Sequence, residues 1–230
     1  MEQATEQTET VISREAKGYQ KVWNVALCEN QETENALIQV ARGYRSISGI
    51  EGLIEDYLDR NPREHKRILS LGCGRGEDLH MMAELFPSCE LYGIDTSSVV
   101  LKNARERIGE ASFVCASAGA LPFRDDYTFK SKFKFDGIVA AQMFSSNFGR
   151  EDIEKVFEEL DPYTDCNSRM YVSVYGSPED KDWQSDELFE FGTFLHRTGV
   201  WESIHQKQYS MPNISPFARG IFLVAEKKFA

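Results

Sequence analysis

Residues 68–95, ILSLGCGRGEDLHMMAELFPSCELYGID, constrain the fold more than any other stretch of the 230-residue chain. Ile68 to Leu71 form a short apolar run, and Gly72, Gly74 and Gly76 follow at once in a G-x-G-x-G pattern. Leu79, Met82, Ala83, Leu85 and Phe86 then recur at helical spacing, so the stretch predicts strand, glycine turn and helix. A second apolar run, Cys89 to Ile94, ends on Asp95. Such a unit is half of a doubly wound α/β sheet, with a nucleoside site at the carboxyl edge of its strands.

The glycines and the acid have separate tasks. A strand that reverses into a helix within a few residues needs positive φ or close backbone approach, and a side chain there fills ligand space. A carboxylate at the end of the second strand accepts hydrogen bonds from both hydroxyls of a ribose. Together they imply an adenosine-containing ligand. The dinucleotide pattern G-x-G-x-x-G wants its third glycine at position 77, which is Glu77. A carboxylate in the first turn of the helix also repels a pyrophosphate. Glu77 and Asp78 therefore suit a ligand without phosphate.

LGCGRGEDL followed by YGID resembles motif I and the acidic second-strand end of the class I S-adenosylmethionine-dependent methyltransferases. CASAGALPF at 115–123 is similar to that family's adenine-side motif, and FDGIVAAQMF at 135–144 to its fourth strand and trailing loop. The four motifs stand in family order, and the resemblance covers about residues 65–230. It implies a Rossmann-like, doubly wound, seven-stranded sheet, mostly parallel with an antiparallel last hairpin. It also implies an N-terminal helical lid at 1–62 ahead of an S-adenosylmethionine-binding domain at 63–230. The implied cofactor is S-adenosyl-L-methionine, and the product S-adenosyl-L-homocysteine.

Carried over position by position, the resemblance puts Gly72, Cys73, Gly74 and Gly76 around the cofactor and Asp95 on its ribose, with Thr96 beside it. Ser117 and Ala118 fall at the adenine, and Gln142, Met143 and Phe144 face the methyl group, where Gln142 lines the sulfonium and Met143 and Phe144 meet the acceptor. As plain pocket walls, these three would look the same in sequence. One position departs from the family. Many members with an A-x-x-L-P-F ending carry Asp just before the alanine, whereas here that residue is Ser117. A hydroxyl accepts the adenine amino hydrogen bond without the charge, so weaker affinity is implied.

Charge narrows the substrate. The net charge of −11 and the lack of a basic tract disfavour nucleic acid, whose binding rests on Lys and Arg neutralising phosphates. A small molecule or a peptide is the expected partner. Cys28, Cys73, Cys89, Cys115 and Cys166 are scattered without a C-x-x-C pair, so neither a disulfide framework nor a metal site is expected. The first ten residues are polar and acidic, unlike a signal or transit peptide, and no apolar run approaches the ~18 residues of a membrane span. The expected location is cytoplasmic.

Ile50, Leu53, Ile54, Tyr57 and Leu58 form one helical face that Asn61-Pro62 ends. Tyr19, Trp23, Tyr44 and Arg45 have two readings. The aromatics either pack the lid onto the body or line the substrate pocket. Arg45 is either a solvated charge or a clamp on the methionine carboxylate of the cofactor. Beyond Asp95, Thr96 and Ser97 suit the cap of a helix to about Ile108, followed by a third strand at Ala111–Cys115. Residues 124–134 read as a lip that meets an anionic substrate or as an exposed hairpin whose lysines guard an edge. A fourth strand is predicted at Phe135–Ala141, a helix at Glu151–Leu160 and a fifth strand at Arg169–Tyr175. A further helix is predicted at Ser185–Arg197, and the last two strands at Trp201–Tyr209 and Gly220–Glu226.

These features point to a methyltransferase acting on an O or N atom of a small molecule. Because a sulfonium already activates its methyl group, the protein need mainly align an acceptor and exclude water. His65, His80, His196 and His205 are candidate bases by type, and none is singled out. Two alternatives stand beside this reading: a non-catalytic S-adenosylmethionine-binding or partner subunit with the same fold, and a nicotinamide-dependent enzyme, which Glu77 disfavours.

Overall fold

The computed structural model describes residues 66–123, 133–141, 143–144, 150–176, 195, 200–210 and 219–228. The predicted lid at 1–62, its boundary with the following domain, and the Ser185–Arg197 helix apart from Leu195 lie outside them. The elements run β1 (Arg67–Leu71), α1 (Glu77–Leu85), β2 (Glu90–Asp95), α2 (Ser98–Arg107) and β3 (Ser112–Cys115). β4 (Gly137–Ala141), α3 (Arg150–Leu160), a 3-10 turn (Asp161–Tyr163), β5 (Arg169–Gly176), β6 (Trp201–Ser210) and β7 (Arg219–Lys227) follow.

All seven strands join one sheet in the order β3-β2-β1-β4-β5-β7-β6. β1, β2, β3, β4 and β5 pair in parallel, and β7 pairs antiparallel with both β5 and β6. The chain leaves β1 toward β2 and β3 on one side, then returns to start β4 on the other. That reversal is the topological switch, outside whose carboxyl ends open α/β sheets bind ligands.

Alternation along the strands builds two cores. Leu69, Leu71, Ile138, Ala140, Met170 and Val172 face one side, where Phe157 and Leu160 of α3 cover them. Ile68, Val139, Tyr171 and Val224 face the other, under Leu79 and Met82 of α1 and Val100 and Leu101 of α2. A parallel strand covered on both faces reads as a continuous apolar run, which is why β1 and β4 look as they do in sequence. α2 begins at Ser97, whose side chain accepts from Val100 N–H at 3.4 Å, and ends with Arg105 and Arg107 favourable to its dipole.

The predicted fourth strand started two residues early. Phe135 N–H donates to Tyr163 O (2.8 Å) instead, and Asp136 N–H donates to Arg67 O (2.9 Å). Asp136 is fully buried, and its Oδ2 accepts from Arg67 N–H at 2.8 Å. This carboxylate holds the start of β1 against the start of β4. Of the stretch 124–134, read as a lip or a hairpin, residues 124–132 lie outside the described residues. Phe133 is half-buried and edge-on to Phe135 (5.1 Å) and Tyr92 (5.5 Å), while Lys134 Nζ donates to Pro162 O at 2.6 Å.

Asp136→Ala leaves the half-buried Arg67 amide short of its acceptor and is expected to cost about 1–3 kcal/mol of stability. Urea denaturation checks this, and an unchanged midpoint would show the bond to be dispensable.

Candidate functional site

The glycine turn leaves β1 at the switch. Gly72, Gly74 and Gly76 have φ of 61°, 54° and 76°, the left-handed region in which L side chains are strained. Their surroundings differ. A Cβ on Gly72 would lie 2.9 Å from Met143 Cγ, so the turn presses against the residue beyond the end of β4. A Cβ on Gly76 would lie 2.9 Å from Ile108 Cδ1 and 3.3 Å from Ala104 Cβ, so α1 starts hard against α2. A Cβ on Gly74 would meet nothing within 4 Å among the described residues. The outer two glycines thus serve packing, and the middle one borders space that the described residues leave open.

Asp95 ends β2 beside that space. Its Oδ2 accepts from Gly74 N–H at 2.9 Å and its Oδ1 from Ser97 N–H at 2.8 Å. Burial pushes the carboxyl above its ordinary range, and the amides of Ser97, Gly74 and Thr96 act in the opposite direction. The turn is tied to β2 a second time through Cys73 N–H, which donates to Ile94 O at 2.9 Å. Cys73 itself is buried in the core under α1 and α2, so it offers the site its backbone rather than its thiol. Burial and the charges of Asp95 and Asp78 raise that thiol well above its usual value, and burial followed by Asp95 raises Cys115. Neither is an activated nucleophile.

Thr96 is half-buried, and its carbonyl accepts from Cys115 Sγ at 3.5 Å. Past β3, Ser117 Oγ accepts from Gly119 N–H (3.2 Å), and Ala120 N–H donates to Ser117 O (3.0 Å), which closes a tight turn. Ala118 packs on the α3-side core. The turn is held from α3 and the 3-10 segment. Leu121 N–H donates to Glu159 Oε2 at 3.1 Å, and Tyr163 O–H donates to Phe123 O at 3.3 Å. Sequence reasoning missed Glu159 and Tyr163, since bonds across 38 and 40 residues leave no local signal.

Of the remaining predicted residues, Met143 and Phe144 are buried, and Phe144 stacks on Phe157 with centroids 6.5 Å apart. Gly72, Met143, Gly74 and Asp95 are brought together, whereas Gln142, Tyr19, Trp23, Tyr44 and Arg45 lie outside the described residues, as do His65 and His196. His205 stands on β6 opposite Val224, and His80 pairs with Glu84 on the surface of α1 at 3.6 Å. The charge argument from Glu77 needs correction. Its Oε1 accepts from Arg107 at 2.7 Å, so this acid is balanced by α2 rather than presented to a ligand. Among the described residues no three His, Cys, Asp or Glu side chains gather to hold a metal ion, and no helix is long and apolar enough to cross a membrane.

A family model described as "Methyltransferase domain" matches residues 68–163, from β1 through the 3-10 turn. Over that stretch the chain is similar to a methyltransferase domain. It resembles the malonyl-[acyl-carrier protein] O-methyltransferase of Legionella pneumophila, 28% identical over 168 residues that cover 68% of this chain and 54% of that one. It also resembles the trans-aconitate 2-methyltransferase of Afipia carboxidovorans, 40% identical over 63 residues, 27% of this chain and 25% of the relative. The chain thus spans about a quarter to a half of the length of these relatives. The plantazolicin methyltransferase BamL superposes with a TM-score of 0.62 at 18% identity over 93% of this chain and 97% of its own. A TehB-like methyltransferase from Corynebacterium glutamicum does so with a TM-score of 0.54, also at 18% identity, over 93% and 98%. At such identity the likeness is one of fold.

The two kinds of glycine give a test. Gly74→Ala is expected to cost only the left-handed backbone strain, about 1–2 kcal/mol. Gly76→Ala adds the collision with Ile108 and Ala104 and should be the less stable variant in thermal denaturation. The reverse order would contradict the packing of α1 on α2.

Proposed function

We propose that this chain transfers a methyl group from S-adenosylmethionine to an O or N atom of a small molecule. The observation that carries the reading is the space that the described residues leave open over Gly74 beside the Asp95 carboxylate, at the switch between β1 and β4. That space is a cradle which a Cβ would begin to fill, and it suits a nucleoside lying along the turn. When bound there, S-adenosylmethionine supplies a methyl group already activated by its sulfonium.

The residues of the chain bind and orient. Asp95 accepts hydrogen bonds from the ribose hydroxyls, pre-aimed by the amides of Gly74 and Ser97. Held charge in a half-buried site serves recognition without reorganisation at the moment of binding. Ser117 and Ala118 meet the adenine, and Thr96 borders the ribose. Met143, pressed on Gly72, fixes the level at which the methyl end emerges, and Phe144 backs that wall through Phe157. Gln142 joins the methyl end, Arg45 holds the methionine carboxylate, and Tyr19, Trp23 and Tyr44 shape the acceptor pocket from the lid.

The name of the trans-aconitate 2-methyltransferase supports a small acceptor, and that of the malonyl-[acyl-carrier protein] O-methyltransferase supports oxygen as the atom methylated, there on an acyl group borne by a carrier protein. No nucleic-acid partner is proposed, in keeping with the net charge of −11. A second reading, a non-catalytic S-adenosylmethionine-binding or partner subunit, draws on Ser117, whose hydroxyl is engaged by Gly119 and lacks the charge of a carboxylate.

Formation of S-adenosylhomocysteine from S-adenosylmethionine, screened with carboxylates, phenols and amines as acceptors, separates the two readings. Turnover with any acceptor is the expected outcome, and cofactor binding without turnover across the panel favours the second. Asp95→Ala should weaken cofactor binding by about 1–3 kcal/mol with the fold retained. Normal binding by that variant would refute the placement of the ribose.

A further inference from the structure

We propose that Glu159 is the positioning residue of the adenine-side loop, and that it sets selectivity for the nucleobase from a helix that need not touch it. The inference rests on the reading that Ser117 and Ala118 face the adenine. The loop from Ala116 to Phe123 leaves the sheet after one last ladder bond, Ala116 N–H to Asp95 O at 3.0 Å. Two contacts inside the loop make its turn, and neither fixes where the turn sits relative to the glycine cradle. That placement comes from outside.

Glu159, in the last turn of α3, accepts Leu121 N–H at 3.1 Å and is the charged partner in that bond. Four residues earlier on the same helix, Lys155 runs its stem past the loop, so that a Cβ on Gly119 would touch Lys155 Cδ at 3.5 Å. Just beyond α3, Tyr163 holds Phe123 O at 3.3 Å. Leu121 and Phe157 share the core beneath, which seats α3 itself. The helix and its 3-10 extension therefore grip the loop at Gly119, Leu121 and Phe123. Among the described residues, only the Glu159 contact is both hydrogen-bonded and next to the recognition turn. Freed of it, Ser117 keeps its local bonds but loses its distance from the base, so an acceptor aimed at the 6-amino group is the first feature to blur.

The test is calorimetric titration of the full chain with S-adenosylhomocysteine and with S-inosylhomocysteine, in which a carbonyl replaces the 6-amino group. Wild type is expected to bind the adenine form in preference; binding of neither would overturn both the cofactor reading and this inference. Glu159→Leu removes the acceptor, and Glu159→Asp withdraws it by one methylene while keeping the charge. Each is expected to bind S-adenosylhomocysteine about tenfold more weakly and to lose preference over the inosine form. Glu159→Gln retains a carbonyl acceptor and is expected to restore both. Unchanged binding by the Leu and Asp variants, or equal weakening for the two nucleosides, would overturn the positioning role and leave the cofactor reading standing.

Discussion

The hydrogen bond from Gly74 N–H to the Asp95 carboxylate joins the two features on which the site depends. It fixes the middle of the glycine turn to the end of the second strand, and a second tie, Cys73 N–H to Ile94 O, runs beside it. A left-handed turn without such anchors would have no reason to hold one shape, since each residue in that region is strained for anything but glycine. Burial makes the carboxylate an uneasy anion, and three backbone amides keep it in place. The same group is then ready for hydroxyl donors, so the anchor of the turn and the recognition of a ribose are one piece of chemistry.

What surrounds this bond is built to leave it undisturbed. α1 and α2 cover one face of the sheet and α3 the other, and the close contact of Gly76 with Ala104 and Ile108 locks α1 to α2. At the opposite edge, Asp136 and Arg67 exchange hydrogen bonds that clamp β1 to β4. Nearby, Lys227 pairs with Asp161 at 2.7 Å and with Thr164, closing the hairpin side against the turn after α3. The amino edge is thereby tied together by polar contacts between β1, β4, β7 and the turn after α3. At the carboxyl edge, by contrast, the described residues leave a space open over Gly74.

Much of this was legible in the sequence because the signals are local. The apolar runs of β1 and β4, the glycine spacing, the cap at Ser97 and the acid ending β2 each lie within a few residues of the feature they specify. The start of β4 was misplaced because Asp136 is recruited by Arg67, 69 residues away, and no window on the sequence shows that bond. Glu159 was overlooked for the same reason. Glu77 was misjudged in a different way: its position in the first turn was correct, but the Arg107 that balances it belongs to another helix. Local chemistry names an element, and only tertiary packing says what its charges meet.

The central claim is that one carboxylate both anchors the glycine turn and receives a ribose. A crystal structure of the chain with S-adenosylhomocysteine tests it most directly. The account predicts ribose hydroxyls within hydrogen-bonding distance of Asp95 and the nucleoside running over Gly74 at the β1–β4 switch. A nucleoside bound elsewhere, or one whose ribose leaves Asp95 untouched, would contradict it.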